Sequence, residues 1–85
     1  MTVELFGTAR LRAGLAAIDL EAGTVGQALE RLARDVPALD GGVIRGDRVH
    51  PAFRLSLNGD RFVSDPSTPL VEGDRLLLLS ADVGG

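Results

Sequence analysis

Arg75-Leu76-Leu77-Leu78-Leu79-Ser80 sets four leucines in a row between a Glu72-Gly73-Asp74 turn and a small, polar tail. A run this short and this apolar, bounded by turn residues, reads as a β-strand buried on both faces rather than as a helix. Such a strand lies inside a sheet, and another element must cover at least one of its faces. That cover is legible upstream. Thr24 and Gln27 have the spacing of a capping box, in which the threonine oxygen accepts an orphan amide near Gln27 and the glutamine reaches back to Thr24. Val25, Ala28, Leu29 and Leu32 then recur at i, i+3, i+4 and i+7, one apolar stripe on a helix. Glu30 and Arg34 sit four apart on its solvent side. Pro37 cannot continue the helix and disfavours helical geometry at Val36.

The remaining chain supplies short strands. Val3-Glu4-Leu5-Phe6 reads as a strand ended by Gly7, and Thr8 to Gly14 as a turn of small and polar residues. In Leu15 to Leu20 the apolar Ala16, Ile18 and Leu20 alternate, which predicts a second strand paired with the first through a long connection. Residues 38 to 52, with Gly41-Gly42, Gly46 and Pro51, read as a loop holding one short helical turn. Phe53, Leu55 and Leu57 alternate with Arg54 and Ser56, a half-buried strand. Asn58-Gly59 is a hairpin signal, with Asp60 to Val63 as the returning strand and Asp65-Pro66-Ser67-Thr68-Pro69 as a rigid loop after it. One helix and one sheet make a two-layer α+β domain over residues 1 to 85. A single helix covers one face only. If the last strand is apolar on both sides, the opposite face keeps apolar surface, which marks a partner site.

Composition narrows the function. The net charge is -3, and the arginines are scattered among more numerous acids, so no basic stripe for nucleic acid is present. No apolar run approaches a membrane span, and the start lacks the pattern of a secretory signal, so a cytoplasmic protein is expected. There is no cysteine and one histidine, His50, which leaves neither a disulfide nor a multi-histidine metal site. Arg45-Gly46-Asp47 is an adhesion tripeptide in letters only. Gly41-Gly42 and Gly46 lack the following Lys and Ser/Thr of a phosphate loop. All nine basic residues are arginine. Compositional bias accounts for that, yet its chemical consequence stands: any isopeptide bond through a side-chain amine must take the amine from a partner.

The tail reads Ser80-Ala81-Asp82-Val83-Gly84-Gly85. A frayed end is the ordinary reading of such residues. A chemical reading also exists. Two glycines have no Cβ, so they can lie in a narrow slot and leave a terminal carboxyl open to an incoming nucleotide phosphate or nucleophile. Adenylation would turn that poor electrophile into a mixed anhydride. Without a thiol the chain cannot hold sulfur as a persulfide, so a sulfur cargo would ride on the Gly85 carboxyl as a thiocarboxylate.

Several of these segments, taken in order, resemble the MoaD/ThiS family of ubiquitin-like sulfur carriers. They are Val3-Glu4-Leu5-Phe6-Gly7-Thr8-Ala9-Arg10 with Gly14, the capped helix from Thr24, the Leu57-Asn58-Gly59 hairpin, the Leu70-Val71-Glu72-Gly73-Asp74 turn and Gly84-Gly85. The resemblance spans essentially the whole chain. It implies a β-grasp fold with a mixed sheet of four to five strands, the first and last central and parallel, one main helix on one face, and residues 81 to 85 as an extended tail. It implies that Gly84 and Gly85 form the reactive end, adenylated with ATP and Mg²⁺ by a ubiquitin-activating-type enzyme and then thiolated by a sulfur donor. The carrier itself binds no cofactor. The acceptor expected first is a molybdopterin synthase large subunit, in molybdenum cofactor biosynthesis; the thiamin, cysteine and tRNA thiolation branches are alternatives, as is a ubiquitin-like modifier joined to target lysines. On this reading the chain is a protein substrate, or the small subunit of a synthase, rather than a stand-alone enzyme. Partner contacts are expected at Phe6, Arg10, Leu77, Leu79, Asp82 and Val83. The chain differs from the molybdopterin branch at Leu79-Ser80-Ala81, where that branch often carries two prolines and an aromatic, and at Leu11, where the family often has Glu.

Overall fold

The computed structural model describes residues 1 to 82, so Val83, Gly84 and Gly85 lie outside the described residues. The leucine run forms β7 (Arg75–Ser80), the middle of a five-stranded sheet in the order β2 (Ala17–Asp19), β1 (Thr2–Leu5), β7, β5 (Phe53–Leu57), β6 (Arg61–Val63). On one side β1 (Thr2–Leu5) runs parallel to it, with Val3 opposite Leu76 and Leu5 opposite Leu78. On the other side β5 (Phe53–Leu57) runs antiparallel, with Leu55 opposite Leu78 and Leu57 opposite Leu76. Period-two alternation therefore sends Val3, Leu5, Leu55, Leu57, Leu76 and Leu78 to one face, and all six are buried.

Helix α2 (Val25–Asp35) lies on that face and buries Val25, Ala28, Leu29 and Leu32 against it. Its cap forms as expected at Thr24, whose Oγ1 accepts the Gln27 N–H at 3.2 Å. The return bond lands one residue earlier than the sequence suggests: Gln27 Oε1 accepts from Gly23 N–H at 2.8 Å. Val36 ends the helix, and Pro37 begins a single 3₁₀ turn, Pro37–Leu39.

Three stretches differ from the sequence reading. Residues 8 to 14 are not a turn: Gly7–Ala13 forms a helix, α1. Thr8 to Ala13 contains good helix formers, and Gly14 (φ 73°) closes the helix with its N–H on the Arg10 carbonyl at 2.9 Å. Ala9 is α1's single buried residue and Leu11 is 81% exposed, so no apolar stripe announces this helix. The second strand is shorter than Leu15 to Leu20, covering Ala17–Asp19 as β2, which pairs antiparallel with β1 across α1. The loop after α2 holds a small hairpin, β3 (Ile44–Arg45) and β4 (Arg48–Val49), turned at Gly46. Leu39, Val43 and Ile44 from this segment are fully buried and complete the core beside α2.

Returning strand β6 (Arg61–Val63) follows the Asn58-Gly59 turn, where both residues take positive φ and the Asp60 N–H closes on the Leu57 carbonyl at 3.0 Å. That turn is tied to the start of β7. Asn58 Oδ1 accepts the Arg75 N–H at 2.8 Å, and its amide donates to Asp74 Oδ1 at 3.1 Å. Asp74 also accepts the Val71 N–H at 2.9 Å. The Val71 bond, then the Asn58 bond, hold the Asp74 carboxyl below its ordinary value.

Leu78→Ala should lower unfolding free energy by about 2–5 kcal/mol in urea titrations, because it opens a cavity at the centre of the sheet. Asp74 gives a pH test. A depressed carboxyl contributes stability above its unfolded pKa, about 3.9, and loses it as pH falls through the lower folded value. Asp74→Asn should therefore unfold at lower urea than wild type at pH 7, with the gap narrowing as the pH drops below about 4.

Candidate functional site

The alternation that fills the core also builds the opposite, helix-free face. There β1 contributes Thr2 and Glu4, β7 Arg75, Leu77 and Leu79, β5 Arg54 and Ser56, and β6 Phe62. Leu77 lies between Glu4 and Ser56, and Leu79 lies opposite Arg54. Phe62, opposite Ser56, is 63% exposed. The Arg54 guanidinium sits 5.0 Å from the Phe62 ring centroid, a cation–π contact at the sheet edge. Arg75 Nε lies 3.5 Å from Glu4 Oε1 at the start of β7. The face thus has half-buried leucines along its middle, an ion pair toward one end and an arginine-capped aromatic at one side. An apolar centre within a polar rim is the anatomy of a protein-binding surface.

Among the expected contact residues, Leu77 and Leu79 share this face. Phe6 follows Glu4 in extended geometry, is 38% exposed, and donates its N–H to the Leu78 carbonyl at 3.1 Å, which places it beside the end of β7. Exposed Arg10 is one helical turn on in α1, its N–H on the Phe6 carbonyl at 3.4 Å. Asp82 is exposed past the end of β7 and accepts from Ser80 Oγ at 2.6 Å. The sequence reading did not single out Arg54 or Phe62. The signal was present in the Asn58-Gly59 hairpin, because its register fixes which strand residues face Ser56.

The root of the tail is anchored. The Ala81 N–H donates to the Ala52 carbonyl at 2.7 Å, and the Ala52 N–H donates to His50 Nδ1 at 2.9 Å. Gly84 and Gly85, the expected reactive end, and Val83, an expected partner contact, lie outside the described residues. A cleft of about 270 Å³ lies near the β6 edge, floored by Leu29 and Leu55 and rimmed by Arg48 and Arg54. Among the described residues no cluster of three or more His, Cys, Asp or Glu could hold a metal ion, and no helix is long and apolar enough to cross a membrane.

This architecture is shared with solved structures. The chain is similar to SAMP1 from Haloferax volcanii, at 25% identity over 99% of this chain and 97% of that one, with a TM-score of 0.77. It is similar to the Amycolatopsis orientalis BexX/CysO complex, at 19% identity over 99% of this chain and 98% of that one, TM-score 0.80. It is also similar to the small archaeal modifier protein 1 of Methanosarcina acetivorans, at 23% identity over 99% of this chain and 94% of that one, TM-score 0.76. No family model matches the chain, and no curated protein matches it by sequence. The resemblance read from the sequence is borne out in these near full-length matches to SAMP1 and CysO, and the fold is a β-grasp.

Because Phe62 projects from an edge strand away from the core, Phe62→Ser should change unfolding free energy by less than about 1 kcal/mol, measured in urea beside Leu78→Ala.

Proposed function

We propose that this chain is a sulfur carrier that works through the carboxyl of Gly85. The observation that carries the reading is that the central strand β7 ends at Ser80, shortly before Gly84-Gly85 in the sequence, in a β-grasp body similar to SAMP1 and CysO. Mechanistically, the body docks and the thin end reacts. The helix-free face, with Leu77, Leu79, Phe6 and Phe62, binds an activating enzyme while two glycines enter its site. There a Gly85 carboxylate oxygen attacks the α-phosphorus of ATP held with Mg²⁺, and pyrophosphate leaves. Hydrosulfide released by a donor then attacks the acyl carbon, the acyl–phosphate bond breaks with its electron pair on AMP, and loss of the S–H proton leaves a thiocarboxylate. Holding the reacting atoms about 3–3.5 Å apart is the enzyme's task, and a tail without side chains permits it. A second enzyme takes the sulfur. The first acceptor to examine is a molybdopterin-synthase-type large subunit, and the setting is the cytoplasm. The grouping of A. orientalis CysO with BexX in one complex is the precedent for a protein partner.

A second reading, a modifier joined by Gly85 to target lysines, is favoured by the likeness to small archaeal modifier protein 1. Intact mass of the protein from its native source, under neutral non-reducing conditions, separates the two. Exchange of one oxygen for sulfur at Gly85 is expected of the carrier, and isopeptide-linked adducts of the modifier. Deleting Gly85 should abolish sulfur transfer in either the native pathway or a reconstituted one, and intact transfer without Gly85 overturns the proposal. Phe62→Ser and Leu77→Ser should weaken capture by the activating enzyme at least about tenfold, the loss typical of an interface anchor.

A further inference from the structure

An activated acyl group is attacked by whichever amine or thiol reaches it first, and the groups at highest effective concentration are those on the same molecule. This chain has very few. It has no cysteine, and its nine Lys+Arg residues are all arginine, whose guanidinium stays protonated and does not compete. Two nitrogen nucleophiles remain. The Met1 ammonium donates to the Leu20 carbonyl at 2.9 Å, and Thr2 pairs with Arg75 at the start of β7, so the terminal amine is held at the end of the sheet opposite Ser80, where the tail begins. His50 lies at the root of the tail, joined to it through Ala52. Its Nδ1 lone pair accepts the Ala52 N–H, which puts the proton of the neutral ring on Nε2 and leaves neither nitrogen a free lone pair.

We propose that this chain is inert toward its own activated end: it acts as a one-way acyl donor that neither cyclises nor forms chains of itself, and it yields Gly85 only to a nucleophile that a partner supplies. The biological use rests on the carrier or modifier reading, but the chemistry does not. The step avoided is aminolysis. An amine lone pair attacks the Gly85 carbonyl carbon, the C–S or acyl-phosphate bond breaks with its electron pair on the leaving group, and the amine loses a proton to solvent as the amide forms. The same arrangement predicts how to switch the step on, by placing a lysine where the tail begins. Ala52 is exposed, and only its backbone is engaged.

The test uses the full chain carrying a Gly85 thioester with 2-mercaptoethanesulfonate, made by intein cleavage, so no activating enzyme is needed. Wild type, Ala52→Lys and Arg34→Lys are incubated at pH 8 and followed by intact mass and peptide mapping. Arg34 lies exposed on α2, and its replacement serves if Ala52→Lys does not fold. The wild-type thioester is expected to decay to the free acid alone. Ala52→Lys is expected to give cyclic or dimeric amide, and Arg34→Lys dimeric amide, at least about tenfold above wild type. Wild-type amide mapped to Met1, or wild-type acylation of any side chain, overturns the proposal. So does a failure of both folded lysine variants to form amide, since the missing nucleophile would then not be what keeps the chain inert. Failure of the carrier reading shows elsewhere, in the absence of ATP-dependent activation by a partner enzyme, and leaves this result unchanged.

Discussion

The parallel pairing of β1 with β7 is the constraint on which the rest of the fold depends. Parallel neighbours cannot be joined by a tight turn, so nearly the whole chain lies between Leu5 and Arg75 and must return across the sheet. The crossover is α2, and its apolar stripe has one place to go, onto Val3, Leu5, Leu76 and Leu78. Once that face is sealed, the pleat dictates what the other face carries. Leu77 and Leu79 cannot be core and cannot be fully solvated either. The same alternation that stabilises the domain leaves an apolar strip exposed, and the domain tolerates it because Glu4, Arg75 and Arg54 rim it with charge.

How much of this was legible depended on length and pattern. The leucine run and the α2 stripe declared the layers, since each repeats its period often enough to be distinctive. The Asn58-Gly59 hairpin was legible from two residues because positive φ restricts who can occupy them. Helix α1 was not, for a physical reason. It presses a single small residue, Ala9, into the core and exposes Leu11, so its periodicity carries no hydrophobic signal. Strands β3 and β4 have two residues each, too few to show alternation, and their burial through Val43 and Ile44 is a tertiary fact. On the helix-free face, Leu77 and Leu79 follow from the strand itself. Phe62 and Arg54 needed the hairpin register, which a list of motifs does not contain.

The polar residues divide into those that hold turns and those on the helix-free face. Asp74, Asn58 and the Arg75 amide knit the start of β7 to the β5–β6 turn, and Asp65 performs a similar local task by accepting both the N–H and hydroxyl of Ser67. These bonds are exposed and individually modest, but they sit at the ends of the strands that define the sheet. Arg54, by contrast, stacks on an aromatic ring. A cation over a projecting ring at a sheet edge offers a partner both an apolar surface and a donor fork for a carboxylate.

The exit of the tail follows a different solution from the proline-rich lead-in of the molybdopterin branch. Proline stiffens a tail by fixing φ, but it has no N–H to donate. Here β7 keeps its ladder to Ser80, paired with Phe53, and the next residue, Ala81, donates its N–H to Ala52. A proline at position 81 would remove that bond. Direction is therefore imposed by a hydrogen bond to the neighbouring turn rather than by backbone rigidity, and the Ser80–Asp82 contact extends it by one residue. A hydrogen-bonded root can be released residue by residue when a partner competes for the same amides, whereas a polyproline root cannot. With Leu79-Ser80-Ala81 at these positions, the root is held by hydrogen bonds rather than by a stiff backbone.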